Sequence, residues 1–125
     1  MSLLGDNRIV REANEREVRI YATPEDRAPF EEWVAALGDK RAKARIFTRV
    51  DRVRLGNFGD CRSTGGGVHE LRVDYGPGYR VYFGLLGSLV VLLLCGGTKE
   101  TQKRDIEMAH RYWKEFKVHG DQELR

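Results

Sequence analysis

Two alternating segments joined by a glycine-proline-glycine turn constrain this chain more than any other feature. Val68-His69-Glu70-Leu71-Arg72-Val73-Asp74 and Tyr79-Arg80-Val81-Tyr82-Phe83 each alternate apolar and polar residues, and Gly76-Pro77-Gly78 lies between them. Period-two alternation is the signature of a strand with one buried face, and a short Gly-Pro connector predicts a hairpin. A three-residue loop would pair Tyr75 with Tyr79, Asp74 with Arg80, Val73 with Val81, Arg72 with Tyr82 and Leu71 with Phe83. Leu71, Val73, Val81 and Phe83 then share a core face. Glu70, Arg72, Asp74, Arg80 and Tyr82 share the opposite face, which so many charges predict to be open to solvent and not packed under helices. His69 has the parity of Leu71 and is expected to point toward the core.

The remaining patterns complete an α+β domain. Val18, Ile20 and Ala22 alternate with Glu17, Arg19 and Tyr21, predicting a strand over about 16–22. Phe30, Trp33, Val34 and Leu37 are spaced as one apolar helical face, after a start at either Thr23-Pro24 or Pro29. A second helix is expected over about 39–55. On a wheel of ~100° per residue, Ala42, Ile46, Val50 and Val53 occupy a sector of roughly 80°, and Arg41, Arg45, Arg49 and Arg52 fill the sector beside it. Residues 56–67 contain five glycines and read as a connector. Leu89–Cys95 is an unbroken apolar run, as in a central strand covered on both faces. Ile106, Ala109, Trp113 and Phe116 define a last helix over about 101–117. The expected order is β-α-α-β-β-β-α, an antiparallel-rich four-stranded sheet with helices packed on one face. A single domain over 16–118 is expected between flexible segments at 1–15 and 119–125.

Charge is distributed unevenly. The net charge of the 125 residues is +3, yet 40–54 alone holds seven basic residues against one acid, so the rest of the chain is net acidic. An aligned arginine stripe is the electrostatic footprint of phosphate-backbone binding, and an acidic protein partner would suit it equally well. Several classes are disfavoured. The most apolar window, 81–95, contains Gly84, Gly87 and Ser88 and falls short of the ~20 residues of a membrane span. Met1–Glu17 lacks the apolar centre of a secretory leader. Cys61 and Cys95 are expected to be reduced thiols in a cytoplasm. His69, His110 and His119 have no metal-ligand spacing with one another or with the cysteines, and no phosphate-loop glycine motif is present.

Several longer motifs carry a resemblance. Leu55-Gly56-Asn57-Phe58-Gly59-Asp60, Gly67-Val68-His69-Glu70-Leu71-Arg72, Tyr75–Phe83, Leu92–Lys99 and Thr101-Gln102 are similar to the "addiction module killer protein" branch of the RelE/ParE superfamily, close to HigB-like toxins. The resemblance extends over about residues 17–117. It implies a RelE-like fold and the toxin of a type II toxin–antitoxin pair, acting in the cytoplasm beside a helix-turn-helix antitoxin and meeting operator DNA only through that complex. It implies a ribosome-dependent mRNA endoribonuclease that inhibits translation and needs no metal or cofactor, in which the substrate's 2′-hydroxyl attacks the neighbouring phosphate and leaves a 2′,3′-cyclic phosphate. Carried onto this chain, Arg72 and Arg80 would grip the scissile phosphate, Lys99 would stabilise the leaving oxygen, and Arg41, Arg45, Arg49 and Arg52 would bind RNA or the ribosome. Many members place a Tyr or His shortly after the last basic residue; this chain has Glu100, Thr101 and Asp105 there. Glu70, on the same face as Arg72, is the candidate base, and Tyr82 the candidate for base stacking or proton donation. The superfamily also leaves open a ParE-like gyrase inhibitor and a degenerate toxin acting as co-repressor.

Overall fold

A computed structural model describes residues 15–120. Of the expected flexible segments, 1–15 and 119–125, all but Glu15, His119 and Gly120 lie outside the described residues, and His119 and Gly120 end a helical turn over Phe116–Gly120. The domain follows the order β1 (Glu17–Ile20), α1 (Pro29–Ala36), α2 (Lys40–Arg54), β2 (Cys61–Gly65), β3 (Val68–Val73), β4 (Tyr79–Leu86), β5 (Val90–Thr98) and α3 (Gln102–Glu115). It is an α+β fold around a five-stranded mixed sheet ordered β1-β5-β4-β3-β2, antiparallel except for the parallel pair β1–β5.

Local chemistry marks where α1 and α2 start. Pro29 opens α1, the second of the two starts expected, because its fixed φ suits a first turn and its missing N–H costs nothing there. The Asp39 carboxylate accepts from the backbone N–H groups of Arg41 and Ala42 and so begins α2. Phe30 and Val34 of α1, with Ala42, Ile46, Val50 and Val53 of α2, pack on Leu71, Val73, Val81, Phe83, Val91 and Leu93. That is the core face expected from alternation, and His69 belongs to it, stacked on Phe83 at 5.3 Å between ring centroids.

Three expectations are corrected. Residues 61–65 form β2, an edge strand on β3, so the sheet has five strands and not four. The hairpin loop is longer than three residues: Val73 pairs with Tyr79, Arg72 with Arg80, Leu71 with Val81 and Glu70 with Tyr82. A shift of two residues leaves every side chain on its expected face, which is why alternation could not detect it. Helices cover both faces, not one. Ala109 and Trp113 of α3, with Phe116 after it, pack on Val68, Tyr82, Leu92, Leu94 and Cys95 on the far side of the sheet. Gly84 makes that approach possible, since a Cβ there would collide with the Trp113 ring. The irregularity between β4 and β5 lies beside Leu94, so that Leu94 and Cys95 both join the α3 side.

Candidate nucleic-acid interface

Pairing in the β3–β4 ladder sets Arg72 directly opposite Arg80. Two like charges in that position repel, so a counter-charge is needed nearby. Glu70, two residues before Arg72 on the same face, supplies it. Its carboxylate is fully buried and lies 3.5 Å from Arg72 Nε, 3.7 Å from Arg80 Nε and 2.8 Å from Arg62 Nε. Only Arg62 is within hydrogen-bonding distance among the three. The Tyr82 hydroxyl donates to Glu70 Oε2 at 3.0 Å and Gln102 Nε2 donates to the same oxygen at 2.7 Å. Burial pushes the Glu70 carboxyl up, but the hydrogen bonds from Arg62, Gln102 and Tyr82 outweigh it and hold the group below its ordinary 4.5. Glu70 is an ionised, buried acceptor.

The same geometry corrects two sequence-based expectations about solvent access. Glu70 and Tyr82 are both fully buried. Tyr82 has no free ring face on which a base could stack, and burial with the adjacent Glu70 charge pushes its phenol far above the ordinary range. Neither group faces a ligand. The start of α3 covers this half of the sheet face, while beside it Arg72 is half-exposed and Arg80 is reached only from the rim of a depression. Glu70 tolerates burial because five polar partners surround it, a possibility that charge counting on one strand pair does not consider.

On the open half, Arg72, Arg80 and Lys99 line one depression of about 310 Å³ with the Gly76–Gly78 turn, Asp60 and Asp74. Lys99 reaches it because its backbone N–H donates to Gly78 O at 2.9 Å, fastening the end of β5 to the hairpin turn. A Cβ on Gly78 would stand 3.6 Å from Lys99 Cβ and 3.7 Å from Arg80 Nη1, so the two cations flank this turn. Side-chain exposure grades from 51% at Arg62 through 37% at Arg72 to 11% at Arg80. A larger groove of about 640 Å³ runs along α2, lined by Arg41, Arg45, Arg49 and Arg52, and shares Asp60, Arg72, Val73 and Asp74 with the depression. The two form one track along which seven cations face two acids, Asp60 and Asp74.

The arginine stripe divides by role. Arg41, Arg45 and Arg52 are exposed. The Arg45 guanidinium lies 5.0 Å from the centroid of the Tyr75 ring, whose hydroxyl donates to Asp39. Arg49 is spent internally: Nε donates to Arg72 O at 3.1 Å, and Nη2 donates to Phe58 O at 3.1 Å and Asp60 O at 3.2 Å. It ties α2 to β3 and to the loop entering β2 while still lining the groove, so it is a structural staple beside the exposed arginines.

Of the residues following Lys99, Glu100 is exposed, whereas the Thr101 hydroxyl donates to the buried Asp105, which lies over Gly97. Arg62 and Gln102 were not anticipated as site residues. Arg62 sits in a segment whose glycines read as a connector, and nothing in its spacing signals a strand. Gln102 opens α3, and only knowing which face α3 covers brings it to Glu70. Among the described residues no cluster of three or more His, Cys, Asp or Glu side chains is arranged to hold a metal ion, and no described helix is long and apolar enough to cross a membrane.

No family model matches the chain. An uncharacterized protein of Haemophilus influenzae is 49% identical over 80 residues, which span 64% of this chain and 81% of the relative. Identity at that level over most of the relative's length establishes common descent, and the chain belongs to the same family as this Haemophilus influenzae protein.

Proposed function

We propose that the protein is the toxin of a type II toxin–antitoxin pair and cuts mRNA on the ribosome, with the cationic depression as its cleavage site. The observation that carries this reading is the convergence of Arg72, Arg80 and Lys99 on one depression continuous with the α2 groove. Two helices ahead of an antiparallel meander, and a helix after it, support a kinship of fold with RelE-like toxins. The site is cytoplasmic in this reading, where ribosomes and a helix-turn-helix antitoxin are available, and operator DNA is met only through that antitoxin.

The chemistry follows from the cations. Arg72 and Arg80 present guanidinium edges to the non-bridging oxygens of one phosphate, which gain charge as the 2′-oxygen attacks. The new 2′-O–P bond forms as the P–O5′ bond breaks, leaving a cyclic phosphate, and Lys99 stabilises charge on the departing 5′-oxygen. The 2′-hydroxyl proton passes to a carboxylate at the depression, and Asp60 and Asp74 are the ones exposed there. Arg41, Arg45 and Arg52 hold the flanking phosphates along α2.

Induced expression tests the reading. It predicts arrested growth and breaks inside translated mRNA, both abolished by Arg72→Ala. Intact mRNA with altered DNA supercoiling would transfer the protein to a gyrase-inhibiting class. Unaffected growth in the absence of the antitoxin would leave only a co-repressor role.

A further inference from the structure

We infer that Glu70 is a positioning residue for the phosphate-gripping arginines, and that Gln102 and Tyr82 are the struts that hold it in place. The inference rests on the ribonuclease reading above and assigns the site an internal anchor in place of a base.

Arg72 and Arg80 face each other across the ladder, and both turn Nε inward toward Glu70. These Nε atoms are buried and make no hydrogen bond among the described residues. Their orientation therefore depends on attraction to the carboxylate across 3.5 and 3.7 Å and not on a direct hydrogen bond. With Nε turned inward, the terminal nitrogens are left to the depression; Arg80 Nη1 makes only a long 3.5 Å approach to Tyr79 O. Glu70 itself has little freedom, because Arg62, Gln102 and Tyr82 bond it from three separate elements, β2, α3 and β4. A carboxylate so saturated is a poor proton acceptor for a substrate but a fixed origin for cationic side chains.

Glu70→Gln separates the possibilities, because it keeps the shape and removes one negative charge beside a polyanion site. Simple electrostatics predicts tighter RNA binding for this variant. A lost general base predicts a lower cleavage rate with binding unchanged or tighter. A merely structural residue predicts a lower melting temperature with binding and cleavage intact below it. Positioning predicts weaker binding despite the added positive charge, because Arg72 and Arg80 repel and splay.

The measurements are the affinity for ribosomes programmed with mRNA that 2′-O-methylation makes uncleavable, its salt dependence, and single-turnover cleavage of ordinary mRNA. The expected result is a cleavage rate about 10²-fold lower, weaker binding, and a salt slope reduced by about 0.7 for each phosphate that the splayed arginines release. Gln102→Met removes one strut at a half-buried position while leaving all charges in place. It is expected to lower affinity and rate in the same sense but less, and it serves where Glu70→Gln does not fold. Equal or tighter binding by a folded Glu70→Gln protein, or wild-type binding and cleavage by Gln102→Met, would overturn the inference alone. A wild-type protein that does not cleave mRNA on ribosomes would remove the ribonuclease reading and this inference with it.

Discussion

The α3-facing side of the sheet contains two halves with the same alternation and opposite fates. In one, Glu70 and Tyr82 are sealed under the start of α3 and bonded to each other. In the other, two residues along each strand, Arg72 and Arg80 line a depression with Lys99. Strand parity treats the two halves identically. What separates them is a third element, α3. Trp113 packs over Gly84 and Gln102 bonds Glu70 in the covered half. Beside Arg80 only Thr101 and Asp105 at its start come over Gly97, leaving the Arg72 edge open. Burial of the carboxylate, with Lys99 exposed, Arg72 half-exposed and Arg80 at the rim, leaves a surplus of positive charge at the depression, which is what a phosphate-binding surface needs.

Substitutions sharpen that division, since changes in the covered half should register as stability and changes in the open half as RNA binding and cleavage. Trp113→Ala is expected to produce the largest stability loss, about 3–5 kcal/mol, because it empties the space that Gly84 leaves on the sheet. Denaturant unfolding of the variant measures it, and a loss below about 1 kcal/mol would mean that α3 is not the cover described. Arg49→Ala follows, at about 1.5–3 kcal/mol, since it leaves the carbonyls of Phe58, Asp60 and Arg72 without their charged donor. Tyr82→Phe removes one donor to Glu70 and should cost about 1 kcal/mol in the same assay.

Acid provides an independent probe of the covered half. The folded-state Glu70 carboxyl lies below its ordinary 4.5, so its contribution to stability is complete above that value. It is lost as pH falls from 4.5 through the lower folded value. Unfolding midpoints of the wild type should therefore drop over that range by more than those of Glu70→Gln, and parallel curves would contradict an ionised buried Glu70. Arg45→Ala is the mildest change. Stability should stay within about 0.5 kcal/mol, while the salt dependence of RNA binding loses about 0.7 of slope. Arg49 and Arg45, one helical turn apart on α2, thus become a matched pair: one should move the unfolding curve and the other the salt curve.

Much of this fold was legible in apolar spacing. Leu71, Val73, Val81 and Phe83 face α1 and α2 because period two admits one assignment, and Phe30, Val34, Ile46 and Val50 face them because period 3.6 does. Asp39 and Pro29 mark helix starts by chemistry that acts within a few residues. The illegible parts depend on distant partners. The register of β3 against β4 differs by two residues from the one a minimal loop implies, a change that leaves every side chain on its face. Cys61–Gly65 becomes a strand because the edge of β3 is available to it, not because Cys-Arg-Ser-Thr-Gly favours extension. The side of the sheet that α3 covers is set by Gly84 meeting Trp113 and Gly97 meeting Asp105, pairs of residues far apart in the chain. Arg72, Arg80 and Lys99 were anticipated together and are found together, whereas Glu70 and Tyr82, anticipated in the open beside them, are found beside them but sealed under α3.

The most direct test of the open half is cleavage mapping on translating ribosomes supplied with the purified protein, comparing wild type with Arg72→Ala. The expected result is a set of breaks within translated mRNA that carry 2′,3′-cyclic phosphate ends. The rate for Arg72→Ala should be at least about 10²-fold lower, with an unfolding midpoint close to wild type. Intact mRNA in the presence of the wild type, or equal cleavage by a folded Arg72→Ala protein, would contradict a cleavage site at this depression.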